Sequence, residues 1–112
     1  MQSNSVQAGD IALIPFPYSD LTTQKKRPVL VLSHADARGD FICLAITSKQ
    51  TLHNALLLNT DDCTPALPKT SWIRLDKIFT LNSAQVIQIF GEISPSKFEK
   101  LPNQFCQTLF PL

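Results

Sequence analysis

The apolar residues of this chain come in short runs, and this spacing constrains the fold more than any other feature. Between Asp10 and Ile93 each run is only as long as a β-strand and is closed by Pro, Gly or polar residues. Helical spacing begins only after Ser94. We therefore expect a mainly β protein, a small antiparallel barrel or half-barrel whose five or six strands are capped by one C-terminal helix.

The positions of these runs give approximate strand bounds. The polar stretch 60–70 and the segment 80–83 are typical of connections. The predicted strands are, in chain order, Asp10–Phe16, Arg27–Ser33, Phe41–Thr47, a short candidate at 55–59, Ser71–Phe79 and Ala84–Ile93.

The C-terminal segment carries the signals of a helix start. Ser94 is a typical N-cap, and Pro95 suits the first helical position. Pro102 falls inside the helical pattern, so we expect the helix to be kinked there or to restart. The apolar positions that define the pattern are Phe98, Leu101, Phe105, Cys106 and Leu109.

Composition sets broad limits on the class of protein. With 112 residues, 44% hydrophobic and 17% charged, the chain is expected to form a single domain over residues 1–112. The net charge of +1 neither favours nor excludes nucleic acid, so a basic site must be local. The polar N-terminus and the absence of an apolar run near the ~18 residues of a membrane span predict a soluble, cytoplasmic protein without a membrane partner.

The potential metal ligands are sparse. The three cysteines form no CxxC pair, and His34 and His53 have no partner at metal-ligand spacing. We expect neither a metal site nor a disulfide framework. Strands 27–33 and 41–47 are apolar on both faces, which predicts that part of their surface meets a partner, as in an obligate dimer.

The segment SWIRLDKIF, residues 71–79, places two opposite charges among apolar residues. In a strand, side chains alternate between faces, so Arg74 and Asp76 share a face with Trp72, and Lys77 lies on the other. Residues two apart lie roughly 6–7 Å apart, so both charges reach one small group between them. The pattern alone favours a plainer interpretation, an exposed ion pair on a solvated face.

Four motifs nevertheless occur in a recognisable order. GDIALIPFPYSDLTTQKKRPVLVLS, AITSK, LPKTSWIRLDKIFTL and FGEIS resemble the MazF/PemK-type toxin endoribonucleases, over nearly the whole chain from Gly9 to Leu109. The resemblance implies an SH3-like β-barrel, a homodimer, and cleavage of single-stranded RNA without a metal or cofactor. It also implies a cognate antitoxin whose disordered tail folds over the active groove.

The same resemblance implies the catalytic residues Arg27, Thr47, Arg74 and Asp76. RNA can be cut without a metal when its own 2′-hydroxyl attacks the adjacent phosphorus, which gives 2′,3′-cyclic phosphate and 5′-hydroxyl ends. A guanidinium such as Arg27 suits the phosphoryl oxygens, and Thr47 can add a hydroxyl donor. By the resemblance Asp76 is the general base, which Arg74 orients while stabilising developing charge.

Base recognition would involve other side chains. Tyr18, Lys26, Ser48 and Lys49 are candidates to line an RNA groove, although simple packing explains Tyr18 equally well. The first connection, SDLTTQKK, lacks the glycine usual in relatives, which bears on the shape of that groove. Two other functions remain open: a non-catalytic RNA- or protein-binding module on the same barrel, and a gyrase-targeting toxin. The gyrase toxins end in Trp-Gly-Ile, whereas this chain ends in TLFPL.

Overall fold

The computed structural model describes residues 6–17 and 24–111. These residues form one antiparallel sheet of seven strands, in the order β4-β6-β3-β2-β1-β7-β5, followed by two short helices. The predicted mainly β half-barrel with a C-terminal helix is confirmed. The elements are β1 (Asp10–Pro17), β2 (Gln24–Val31), β3 (Asp40–Thr47), β4 (Ala55–Leu58), β5 (Cys63–Thr64), β6 (Ser71–Asn82), β7 (Gln88–Ile93), α1 (Pro95–Phe98) and α2 (Leu101–Leu109).

One face of the sheet encloses the main core. Both edge strands contribute to it, with Leu58 from β4 and Cys63 from β5, so the sheet curls around this core. Leu101 of α2 is 3% exposed and closes one side. This inner cluster consists of Ile11, Leu30, Leu44, Ile46, Leu58, Cys63, Ile73, Leu75, Ile93 and Leu101.

The opposite face of β1, β2 and β3 is also buried, within this one chain. Partly buried side chains from β6 and the segment after it, Phe79, Leu81 and Val86, pack against it. Segments distant in sequence therefore cover much of these faces, whereas Ile42 of β3 is 43% exposed, and the expected partner stays a prediction. This outer cluster consists of Val6, Ala12, Ile14, Val29, Val31, Phe41 and Cys43.

The end of β6 differs from its predicted bound. The strand continues to Asn82 rather than ending at Phe79, because residues 78–82 pair with 40–44 of β3. The Asn82 side chain donates to Asp40 Oδ1 at 2.9 Å. Long-range pairing of this kind leaves no local signal in the sequence.

The start of β7 is also later than predicted, at Gln88 instead of Ala84. Residues Ser83–Gln85 form a 3₁₀ turn with a capping box at its N-terminal end. Asn82 Oδ1 accepts from the Ala84 N–H at 2.9 Å, and Gln85 Oε1 accepts from the Asn82 N–H at 2.8 Å. These reciprocal bonds stabilise a turn where apolar alternation predicted a strand.

The C-terminal helix restarts as expected. Ser94 Oγ accepts from the Lys97 N–H at 3.3 Å and caps α1, with Pro95 in the first turn. A new helix begins at Leu101, and Pro102 lies in its first turn, where a missing N–H breaks no helical bond. Within the part of the chain that is described, neither helix has the length and hydropathy that crossing a membrane requires.

The stretch 60–70 is only partly a loop. Thr60–Asp62 form a 3₁₀ turn, and Cys63–Thr64 pair with β7 as the edge strand β5. The predicted loop therefore contains the strand that closes one edge of the sheet.

Candidate active site

Pro28 interrupts the pairing of the central strands β2 and β3 at the strand ends where the site lies. Alternate residues of a strand direct their backbone groups to the same neighbour. Leu32 donates its N–H to Ile42 of β3 at 2.8 Å, so Pro28, four residues earlier, faces β3 as well. Pro28 has no N–H to donate, and the pairing of β2 with β3 stops at Val29. The ends of β2 and β3 therefore separate beside Arg27 and Thr47.

Two grooves meet at this opening. The first, which we call the mouth groove, has a volume of about 450 Å³ and leads towards the inner cluster; its walls include Leu67, Pro68 and Phe90. The second, the side groove, has a volume of about 280 Å³ and reaches Val29 and Phe79 on the outer face. Four residues line both grooves: Arg27, Pro28, Ile46 and Thr47.

An irregularity in β6 shapes the side groove. Ile73 pairs with Ile46 and Ile78 pairs with Leu44, so residues 74–77 face the single residue Ala45. A bulge of this kind bends the strand and redirects its side chains. Alternation consequently changes phase along β6: Ile73 belongs to the inner cluster, whereas Phe79 packs on the outer one.

The bulge corrects one prediction and reveals a residue that the sequence analysis missed. Simple alternation places Lys77 on the face opposite Arg74, but both side chains line the side groove. The signal in the sequence was a third charged residue, Lys77, next to Arg74 and Asp76. It was assigned to the wrong face because the register of β6 depends on β3.

Arg74 and Asp76 form an ion pair, as their shared face predicted. Arg74 Nε lies 3.3 Å from Asp76 Oδ1, and Nη2 lies 3.4 Å from Oδ2. Desolvation, the largest influence on Asp76, raises the pKa of this carboxyl. The hydrogen bond from Arg74, a backbone hydrogen bond and the charges of Arg74 and Lys77 outweigh it, so the pKa lies below its usual value. Asp76 is therefore ionised at neutral pH.

The Thr47 hydroxyl is oriented by the turn that follows it. Its Oγ1 accepts a hydrogen bond from the Lys49 N–H at 3.1 Å. Because a hydroxyl has one donor and two acceptor positions, the O–H of Thr47 remains able to donate to a ligand oxygen. Thr47 lies at the end of β3, where both grooves meet.

The structure brings five of the predicted site residues to the two grooves. Arg27 and Thr47 line both grooves, and Arg74, which holds Asp76, lines the side groove. Two of the predicted RNA contacts, Lys26 and Ser48, line the mouth groove, whereas Lys49 orients Thr47 through its backbone. Tyr18 lies outside the described residues.

The grooves are locally positive in a chain of net charge +1. The described residues that line them include four cations and no carboxylate: Lys26, Arg27, Arg74 and Lys77. Because the net charge is only +1, a basic site has to be local, and the two grooves form such a site. Such a surface suits a polyanion.

A family model matches residues 7–109 of the chain: the PemK-like, MazF-like toxins of type II toxin–antitoxin systems. The chain belongs to this family. The resemblance inferred from the four sequence motifs is thus confirmed. No curated protein sequence matches the chain at a significant level.

Solved structures of PemK/MazF-type toxins share the fold. The MazE–MazF complex from Deinococcus radiodurans has a TM-score of 0.73 at 16% identity and covers 93% of this chain and 95% of that chain. An endoribonuclease in complex with its cognate antitoxin, from a mycobacterial species, has a TM-score of 0.70 at 18% identity, covering 93% and 92%. The Mycobacterium tuberculosis toxin MazF-mt6 has a TM-score of 0.69 at 17% identity, covering 89% and 95%.

The described residues of this PemK/MazF-family chain contain no cluster of three or more side chains suited to hold a metal ion. Cys43 and Cys63 are buried, and desolvation raises the pKa of their thiols to about 12 and about 11; a nearby charge, that of Asp62, adds to the effect at Cys63. Both thiols are therefore inert at neutral pH.

Proposed function

We propose that this chain is the toxin of a type II toxin–antitoxin pair and acts as a metal-independent, sequence-specific endoribonuclease on single-stranded RNA. Cleavage by the 2′-hydroxyl would leave 2′,3′-cyclic phosphate and 5′-hydroxyl ends and would inhibit translation and growth. The observation that carries the proposal is the cationic lining of the two grooves around the Thr47 hydroxyl.

Arg27 and Thr47 hold the scissile phosphate at the junction of the grooves. Arg27 is half-buried and pairs with Ile14 of β1, so its position is set by the sheet. A planar guanidinium donates to two phosphoryl oxygens at once, and the oriented Thr47 O–H donates to the same group. Fixed donors aimed at developing charge typically contribute about 10²–10³-fold in rate.

Asp76 removes the proton from the attacking 2′-hydroxyl, and Arg74 positions the Asp76 carboxylate. The 2′-oxygen then bonds to phosphorus, the bond from phosphorus to the 5′-oxygen breaks, and the leaving 5′-oxygen takes a proton from solvent water. The ion pair keeps Asp76 ionised and thus able to accept a proton, although a lowered pKa makes it a weak base. Arg74 also lines the side groove, where its charge stabilises the transition state.

RNA recognition involves the remaining predicted contacts. Lys26 and Ser48 face the mouth groove, whose apolar walls suit an unstacked base. We also assign Tyr18 and Lys49 to the RNA-binding surface, because an aromatic ring can stack on a base and a lysine can bind the RNA backbone.

The partners follow the family. Two of the solved structures with this fold are complexes of a toxin with its antitoxin, and we propose that a cognate antitoxin's disordered tail occupies the same grooves here. We propose a homodimer as well, for which the exposed apolar side chains of Ile42 and Ile78 offer a surface. Light scattering of the purified chain tests the dimer. We propose that the protein acts in the cytoplasm, as expected for a toxin that cleaves RNA.

The decisive experiment incubates the purified chain with a long single-stranded RNA in EDTA and maps the product ends. Discrete cuts with cyclic phosphate ends are expected, and an Arg27→Ala variant should lose them, which excludes a contaminating nuclease. Products with 5′-phosphates would contradict the mechanism. Intact RNA that nevertheless binds tightly would favour the non-catalytic binding module instead.

A further inference from the structure

The side groove extends beyond the residues that the proposed cleavage uses. It begins at Arg27 and Thr47, passes Arg74, and includes Lys77 and Phe79. Arg27 and Thr47 already hold the scissile phosphate, and Arg74 holds Asp76. The charge of Lys77 helps to lower the pKa of Asp76, but the proposed cleavage assigns Lys77 no contact with the RNA.

Lys77 is exposed and available for a ligand. Among the described residues the ion pairs join Arg74 with Asp76 and Lys97 with Asp62, and Lys77 takes part in neither. The bulge at residues 74–77 turns its side chain into the groove, whereas a regular strand would turn it away. The position of Lys77 in the side groove thus depends on this bulge.

We propose that Lys77 binds the RNA phosphate adjacent to the scissile one and so fixes the path of the strand through the side groove. The proposal rests on the proposed endoribonuclease function and names a contact within it. An RNA strand whose scissile phosphate is bound at Arg27 and Thr47, and which continues along the side groove, brings its adjacent phosphate close to Lys77. The neighbouring carboxylate, Asp76, is paired with Arg74 and is not among the described residues that line the groove. A flexible ammonium suits a flanking phosphate, which needs charge rather than a planar fork of donors.

The salt dependence of binding measures this contact. The probe is a short synthetic RNA that spans a cut site mapped for this protein, with a 2′-O-methyl group at the attacking nucleotide to prevent cleavage. For single strands, each neutralised phosphate contributes about 0.7 to the slope of log affinity against log salt concentration. The Lys77→Ala variant should lose about 0.7 of the slope, and Lys77→Arg should keep it.

A matched control and a modified RNA separate the contact from general charge. Lys100→Ala removes an exposed cation between the two helices, distant in sequence from both grooves, and should leave the slope unchanged. A neutral methylphosphonate is then placed at each linkage flanking the cut. At the linkage that Lys77 contacts, the methylphosphonate should lower the slope of the wild type by about 0.7. The same substitution should cause no further loss of slope in Lys77→Ala.

The outcomes distinguish the two proposals. If the wild type cuts RNA but Lys77→Ala keeps the full slope, the Lys77 contact is wrong and the endoribonuclease stands. If the methylphosphonate lowers the slope equally in the wild type and in Lys77→Ala at every linkage, the proposed Lys77 contact is also wrong. If the wild type neither cuts nor binds RNA, both proposals fall together.

Discussion

Two ion pairs of this molecule have nearly the same length but different surroundings. Arg74 and Asp76 lie 3.3 Å apart with side chains 29% and 35% exposed, at the edge of the side groove. Lys97 and Asp62 lie 3.4 Å apart, with side chains 14% and 19% exposed. Distance alone does not separate a pair that serves a ligand from one that stabilises the fold.

The contacts around each acid separate them. Asp62 Oδ2 also accepts from the Asn59 N–H at 2.7 Å, and the Asp62 carbonyl accepts from the Ser94 N–H at 2.7 Å. Asp62 therefore connects the 3₁₀ turn before β5 with the start of α1. Asp76 instead lies in the bulge at residues 74–77, is 35% exposed, and pairs with Arg74, which lines the side groove. The Lys97–Asp62 pair therefore stabilises the fold, whereas the Arg74–Asp76 pair serves the RNA in the mechanism proposed above.

The largest expected effect comes from Asp76→Asn. Loss of the general base should lower the cleavage rate by about 10²–10⁴-fold, because a carboxamide does not accept the proton. The free energy of unfolding should change by no more than about 0.5 kcal/mol, since exposed ion pairs contribute little. Single-turnover cleavage and urea unfolding measure the two quantities.

Asp61→Asn is the matched control, because Asp61 is exposed and lies outside both grooves; it should change neither quantity. The pH dependence gives a second check. Because the pKa of Asp76 is lowered from 3.8, the wild-type rate should not fall with acidification until the pH is below about 4. An acidic limb near pH 6 would assign the base to another group.

An intermediate effect is expected at the structural pair, with the opposite profile. Asp62→Asn should lower the free energy of unfolding by about 1–2 kcal/mol, because it weakens a half-buried pair and the hydrogen bond from Asn59. The cleavage rate per folded molecule should not change. A fall in rate without a loss of stability would reverse the roles assigned to the two pairs.

The smallest effect concerns acid stability. The folded-state pKa of Asp76 is depressed, so its contribution to stability is present above its ordinary value of 3.8 and is lost as the pH falls through the folded-state pKa. Because the pair is about one-third exposed, this contribution should be below about 1 kcal/mol. Wild type and Asp76→Asn should therefore differ slightly in urea unfolding at pH 7 and converge once the pH is below the lowered folded-state pKa of Asp76.

Features with local causes could be predicted from the sequence. The starts of β1 and β3 were placed within one residue, and Ser94, Pro95 and Pro102 mark the helix starts because capping and the missing proline N–H act within one turn. The shared face of Arg74 and Asp76 also follows from strand alternation. The family motifs then indicated which charges belong to a site.

Features that depend on partners distant in sequence could not be predicted. The bulge that turns Lys77 into the side groove arises from the register between β3 and β6. The cover over the outer cluster comes partly from Phe79 and Val86, which no periodicity assigns to β2 and β3. Pro28 was read as a strand start, whereas its missing N–H ends the pairing with β3 and opens the site.

The most direct test of the central claim replaces a single oxygen of the substrate. A synthetic RNA that spans a mapped cut site is prepared with the ordinary ribose and with a 2′-deoxyribose at the nucleotide 5′ to the cut. The account predicts that the all-ribose RNA is cleaved and that the 2′-deoxy substrate binds with similar affinity but stays intact. Cleavage of the deoxy substrate at the same bond would contradict it, because the nucleophile would then have to come from water or from the protein.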